Sequence, residues 1–173
     1  LREGAEQYAQ VAAMFARDPG AVQPYAATLD NHAAALLAAR QNTAVERYQY
    51  AFAKRRALGI PVLPASEANA ALAEAIRGDL ASARASLARL EAGAPPAARR
   101  TVLGASAMVW RLAGEAGEAL SRAEKALALA PPETRDRAYA EIEWGLVQVE
   151  LGRAEAAAPV LAKAVEFLDA KYP

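Results

Sequence analysis

His32 is the sole histidine of this 173-residue chain, and Asp30 stands two residues before it. A histidine acting as general base needs a nucleophile within hydrogen-bond reach and a group that orients the ring. Residues two apart on a helix do not share a face, so Asp30 cannot serve as that group if the segment is helical. The chain has no cysteine, and no serine lies in a Gly-x-Ser-x-Gly turn. Thiolate and acyl-transfer chemistry therefore lack their nucleophile. The carboxylates are scattered. Glu141 and Glu143 are two apart and diverge on a helix. Glu115 and Glu118 share a face, but they sit where a helix begins and negative charge favours the dipole. No phosphate-cradling Gly-x-x-x-x-Gly-Lys loop is present, and no His, Asp or Glu group has the spacing of metal ligands. We expect no catalytic residue, no cofactor and no metal, and read His32 as a packed or partly exposed helix residue.

Lys54-Arg55-Arg56 is the densest basic run, with Tyr48, Tyr50 and Phe52 just before it. Cations beside aromatics suit single-stranded nucleic acid. Overall, however, 20 basic residues balance 20 acidic ones, whereas nucleic-acid binders carry a basic excess. We expect no nucleic-acid partner, and assign the run to a helix C-terminus, where cations complement the dipole. The charge is uneven along the chain. From Asn31 to Ser66 there are five basic residues against Glu46 alone, and from Glu133 onward eight acidic against five basic. Such an asymmetry orients a partner or a neighbouring domain, or is ordinary surface.

The elements that position these residues must be helices. The chain is 54% apolar and 23% charged, which is a globular composition, and 49 residues are alanine. Alanine has the highest helix propensity and lets helices approach closely. Strand-favouring β-branched and aromatic residues are sparse. No window supplies a membrane span. A start of Leu1-Arg2-Glu3 resembles neither an initiator methionine nor a signal peptide, so the sequence reads as a piece of a longer protein or a processed product, with the cytoplasm as the expected compartment.

Three strings repeat: Gly78-Asp79-Leu80-Ala81-Ser82-Ala83, Gly114-Glu115-Ala116-Gly117-Glu118-Ala119 and Gly152-Arg153-Ala154-Glu155-Ala156-Ala157. Their glycines are 36 and 38 residues apart, and Pro95 and Pro131 each follow a glycine by 17. Glycine ends one helix in the left-handed conformation, alanine keeps the next helix close, and proline stops it. Ala126 after Ala119, and Ala164 after Ala157, repeat the close contact two turns on. Helix breaks are expected near 18–21, 40–43, 59–66, 77–80, 92–98, 114–116, 130–134 and 152–154.

This pattern resembles the tetratricopeptide repeat (TPR) family. Leu103, Ala107, Trp110, Gly114, Ala119, Ala126 and Pro131 fall on signature positions. Trp144, Gly145, Gly152, Ala157, Leu161 and Ala164 match in the last repeat, where Glu141 and Gln148 replace large apolar residues. Ala71, Gly78, Ala83, Leu87 and Pro95 match in the earlier one, where Leu90 replaces an alanine. The N-terminal part is less regular: residues 40–43 lack the glycine, and the long helix ending near Gly59-Ile60-Pro61 resembles the kinesin-light-chain-like variant of the repeat. The resemblance implies an all-α fold, a superhelical array of antiparallel helix hairpins forming one domain over 1–173. The hairpins would be 22–58, 65–96, 101–132 and 134–173, with helix 1–17 left from a preceding repeat.

It also implies a function. Stacked hairpins leave a concave face lined by the first helix of each, and that face would bind a peptide or helix of another protein. Projected onto this chain, the groove comprises Leu72, Ile76, Met108, Arg111, Leu112, Tyr139, Ile142, Leu146 and Val149. A lysine-dependent clamp for carboxyl-terminal tails is not expected, because Asp30, Ala68 and Gly104 occupy the lysine positions. A second reading is a sensory or regulatory region of a larger bacterial signalling protein, a protein kinase or transcriptional regulator. Open array ends would also permit self-association.

Overall fold

Four helices of this chain end at a glycine with positive φ. In the computed structural model, which describes residues 2–18 and 20–171, Gly59, Gly78, Gly114 and Gly152 have φ of 68°, 101°, 78° and 76°. Each bends the chain back without the clash that a Cβ would bring. The described residues hold nine helices and no strand: α1 (Arg2–Phe15), α2 (Val22–Ala38), α3 (Ala44–Ala57), α4 (Pro64–Ile76), α5 (Leu80–Gly93), α6 (Pro96–Leu112), α7 (Ala116–Leu129), α8 (Arg135–Glu150) and α9 (Ala154–Lys171). Of the described residues 81% are helical.

The breaks fall close to the expected places, with two differences of physical interest. Between α2 and α3 no glycine is present, and Arg40 takes the left-handed turn at φ 51°. Between α5 and α6 the expected break at 92–98 shrinks to Ala94 and Pro95, because Pro96 is itself the first helical residue, where a missing N–H costs no hydrogen bond. Asp79 and Thr134 cap α5 and α8, accepting from the backbone N–H of Ser82 and Arg137 at 3.1 Å. Nothing in the surrounding packing explains Pro159, which lies inside α9.

Consecutive helices pack as pairs, α2 with α3, α4 with α5, α6 with α7 and α8 with α9, and α1 packs on α2. The first helices of the pairs also touch in series, α2 on α4, α4 on α6 and α6 on α8, whereas among the described residues the backbones of successive second helices stay apart and only long side chains such as Arg122 and Glu91 span the gap. An array tied on one side and splayed on the other curves toward the tied side, so the first helices form the inner wall. Alanines fill the interior of these contacts: Ala33, Ala51, Ala68, Ala83, Ala107, Ala119 and Ala157 are 0% exposed. Gly145 carries this further, since a Cβ there would meet Leu161 Cγ and Cδ2 at 2.6 Å.

The basic run closes α3 as expected, with Lys54, Arg55 and Arg56 all in its last turn. The middle residue nevertheless turns inward. Arg55 is 4% exposed; its Nε and Nη2 donate to Asp30 Oδ2 at 2.9 and 2.5 Å, and Nη1 donates to the Pro61 carbonyl at 3.1 Å. A buried charge must be paired and hydrogen-bonded, and Asp30 supplies that from the facing helix.

Candidate partner groove

The inner wall is built by α4, α6 and α8, whose mutual packing sets Asn69 and Leu72, Arg100 to Met108, and Tyr139 to Glu143 around one cleft of about 190 Å³. Gly104 opens this cleft. A Cβ at that position would meet no atom within 4 Å, so the glycine is not required by packing and leaves the α6 backbone bare between Arg100 and Met108. Arg100 crosses the junction to Asp136 on α8 at 2.8 Å.

Of the nominated groove residues, Leu72, Met108 and Tyr139 line the cleft. Leu72 is 6% exposed and belongs to the core more than to the surface. Ile76, Leu112, Leu146 and Val149 are exposed, and Ile142 is half-buried; none of them lines the cleft itself. Tyr139, Ile142, Leu146 and Val149 recur at helical spacing, so α8 carries one apolar stripe continuing from the cleft toward its C-terminus. Tyr139 is 49% exposed, and the Arg135 guanidinium lies 5.4 Å from its ring.

Arg111 is differently placed from a free contact residue. Its Nε donates to Glu143 Oε1 at 2.8 Å and its Nη1 to Glu150 Oε1 at 3.0 Å. The pair fastens α6 to α8. Burial raises the Glu143 carboxyl above the ordinary glutamate range, with Arg111 opposing that shift. Arg111 thus shapes the groove by holding two first helices together. The clamp positions behave as their types suggest: Asp30 pairs with Arg55, Ala68 is fully buried, and Gly104 is bare.

Sequence reasoning did not single out Asn69, Arg100, Thr101 or the openness at Gly104. A glycine inside a helical pattern with no turn to make was the available signal for the last. Glu141 and Gln148, which break the repeat pattern, are satisfied locally: Glu141 accepts from Arg137 Nε at 2.8 Å, and Gln148 Oε1 accepts from Arg153 at 3.3 Å. A larger cavity of about 620 Å³ lies at the end of the array, between the start of α8 and the end of α9, beside Arg137, Ala138, Glu141, Lys163 and Phe167. Among the described residues no group of three His, Asp or Glu could hold a metal ion, and no helix is long and apolar enough to cross a membrane.

Among solved structures, the chain is similar to a putative kinesin light chain of Podosopora anserina with nearly identical TPR-like repeats. The TM-score is 0.54 at 21% identity, over 99% of this chain and 89% of that one. A point variant of that protein gives a TM-score of 0.57 at 21% identity, over 96% of this chain and 86% of that one. The likeness establishes a TPR-like fold. Neither a protein-family model nor a curated protein matches the chain.

Proposed function

We propose that this TPR-like array is a non-catalytic scaffold that holds an apolar peptide or helix of another protein along α4, α6 and α8. The observation that carries the reading is the cleft at Gly104 running into the exposed apolar stripe of α8. A solvated helix face has no need of Tyr139, Leu146 and Val149 together, and contiguous exposed apolar surface marks interaction sites. Tyrosine and methionine suit such a surface, the one as a rigid anchor and the other as an adaptable filler. At Gly104 a ligand can pack directly against the bare helix surface.

The test is a selection of displayed peptides against the wild-type chain, followed by binding of the recovered sequences to Gly104→Trp and Tyr139→Ala. A Cβ at position 104 meets nothing within 4 Å, so the side chain starts into open space, and circular dichroism of Gly104→Trp establishes that the fold is kept before binding is compared. Recovered peptides should lose most of their affinity for both variants. Peptides that bind Gly104→Trp as well as wild type would overturn the assignment of the groove.

A further inference from the structure

The crevices between successive second helices are floored by a first helix, and one of them fills itself. Between α5 and α7 the floor is Trp110 of α6. The guanidinium groups of Arg122 and Arg84 lie 4.1 and 5.0 Å from its ring, and these arginines pair with Glu91 and Glu115 at 2.8 and 2.6 Å. Ring, cation and carboxylate complete one another there.

The crevice between α1 and α3 is the same place two hairpins earlier. Helices α2 and α6 are both 17 residues long, and Ala33 and Ala107 are both 0% exposed. At the same offset from these alanines, His32 corresponds to Ser106 and Leu36 to Trp110. Ala44 and Ala119, both buried, open the packed faces of α3 and α7, and three residues beyond them stand Arg47 and Arg122. Here, however, the ring is gone and α1 presents alanines. What is left is a cavity of about 420 Å³ against Glu6, Ala9, His32, Leu36 and Arg47, adjoining another of about 210 Å³ that reaches Tyr50.

Gln41 also lines the larger of these cavities and donates to the Ala39 carbonyl at 3.5 Å, but the other polar groups are unfilled. Arg47 makes no ion pair among the described residues, and Glu6, the carboxylate on the wall, is not within pairing distance of it. The Arg47 guanidinium lies 5.7 Å from the Tyr50 ring. His32 is 5% exposed, and its Nδ1 is buried without a partner. Among the described residues Nε2 has no hydrogen-bond partner, and His32 lines both cavities, so Nε2 is the nitrogen offered to them. Burial, reinforced by Arg47, holds the imidazole below its ordinary pKa, which keeps it a neutral donor near neutral pH.

We propose that the α1/α3 crevice binds a small organic carboxylate, held by the Arg47 guanidinium and His32 Nε2, with its apolar body on Leu36 and the alanines of α1. The ligand supplies what Glu91 and Trp110 supply to Arg122 in the equivalent crevice. One arginine facing one glutamate suits a monoanion better than a multiply charged phosphate.

Because His32 is the sole histidine, its ring resonances report the site without assignment. Titration with benzoate should shift them saturably and raise the imidazole pKa, since a bound anion favours the charged ring. Arg47→Gln should weaken benzoate by roughly tenfold or more, the loss of one charge-assisted hydrogen-bonded contact. Glu6→Gln should tighten it. Leu36→Trp, which rebuilds the ring of the filled crevice, should abolish it. Benzamide and inorganic phosphate should bind more weakly than benzoate. A linear, unsaturable response in the wild type overturns the proposal. So does benzoate affinity unchanged in Leu36→Trp or in Arg47→Gln with native circular dichroism, and so does phosphate binding tighter than benzoate.

Discussion

Arg111 on α6 and Glu143 on α8 meet at 2.8 Å across the junction of two hairpins, and the glutamate side chain is only 9% exposed. A pair so placed is weak evidence for net stability, but breaking it from one side leaves an uncompensated charge. Arg111→Ala should therefore cost about 3 kcal/mol near neutral pH, the low end for a buried pair, because the arginine side chain is still 20% exposed.

The penalty should depend on pH in a defined direction. Burial already holds Glu143 above the ordinary glutamate range, and removing Arg111 removes the opposing influence. A carboxyl whose folded pKa is raised disfavours the fold as pH rises through that value, and is harmless once protonated. The cost of Arg111→Ala should be full at about pH 7 and smaller at about pH 5, and Glu143→Gln should recover most of it at the higher pH. Urea unfolding of the two single variants and the double variant measures this. An equal cost at both pH values would mean that the charge of Glu143 is not its source.

Two helical glycines should respond oppositely to alanine. At Gly104 a Cβ meets nothing within 4 Å, so Gly104→Ala should stabilise by about 0.5–1 kcal/mol through backbone entropy and helix propensity. At Gly145 a Cβ meets Leu161 at 2.6 Å, and overpacking of this kind costs about 1–3 kcal/mol. Leu161→Ala should remove the difference between the two sites. Thermal midpoints of the three single variants and of the Gly145/Leu161 double variant decide it.

Ala119 and Ala157 are both 0% exposed at the contact between the helices of a pair. Leucine at either should destabilise by about 1–3 kcal/mol, whereas leucine at exposed Ala128 should change little. Equal denaturation midpoints for Ala119→Leu and Ala128→Leu would show that the second helix does not approach the first through Ala119.

The helices were legible because their stops are written as residue types. Gly78, Gly114 and Gly152 take positive φ where the repeated strings place them, and the alanines that close those strings, Ala83, Ala119 and Ala157, are fully buried. The turn at Arg40 was not legible as a conformation, since nothing about an arginine announces φ of 51°. Nor were the ionic contacts. Asp30 and Arg55 are 25 residues apart, and Arg111 and Glu143 are 32 apart; which charges meet at such separations depends on helix rotation and loop length, which periodicity does not specify to within a side chain. That is why Lys54, Arg55 and Arg56 read as one basic run although the middle residue turns inward. The groove was legible as a stripe on α8 and illegible as a cavity, because an opening such as that at Gly104 arises from what α4, α6, α7 and α8 leave unfilled between them.

The crevice over Trp110 limits how such an array can lengthen. Arg84 and Glu91 stand seven residues apart on α5, and the groups they meet, Glu115 and Arg122, are seven apart in the reverse order of sign. The residues that meet stand at non-equivalent places: counted from the turn glycines Gly78 and Gly114, Glu115 occupies the position of Asp79, and Arg122 that of Ser86. A gene duplication that copied the hairpin of α5 beside itself would therefore keep a carboxylate facing Arg84 but set Glu91 against a serine. Along this crevice one of the two ion pairs can be inherited by duplication, and the other has to be written in by substitution.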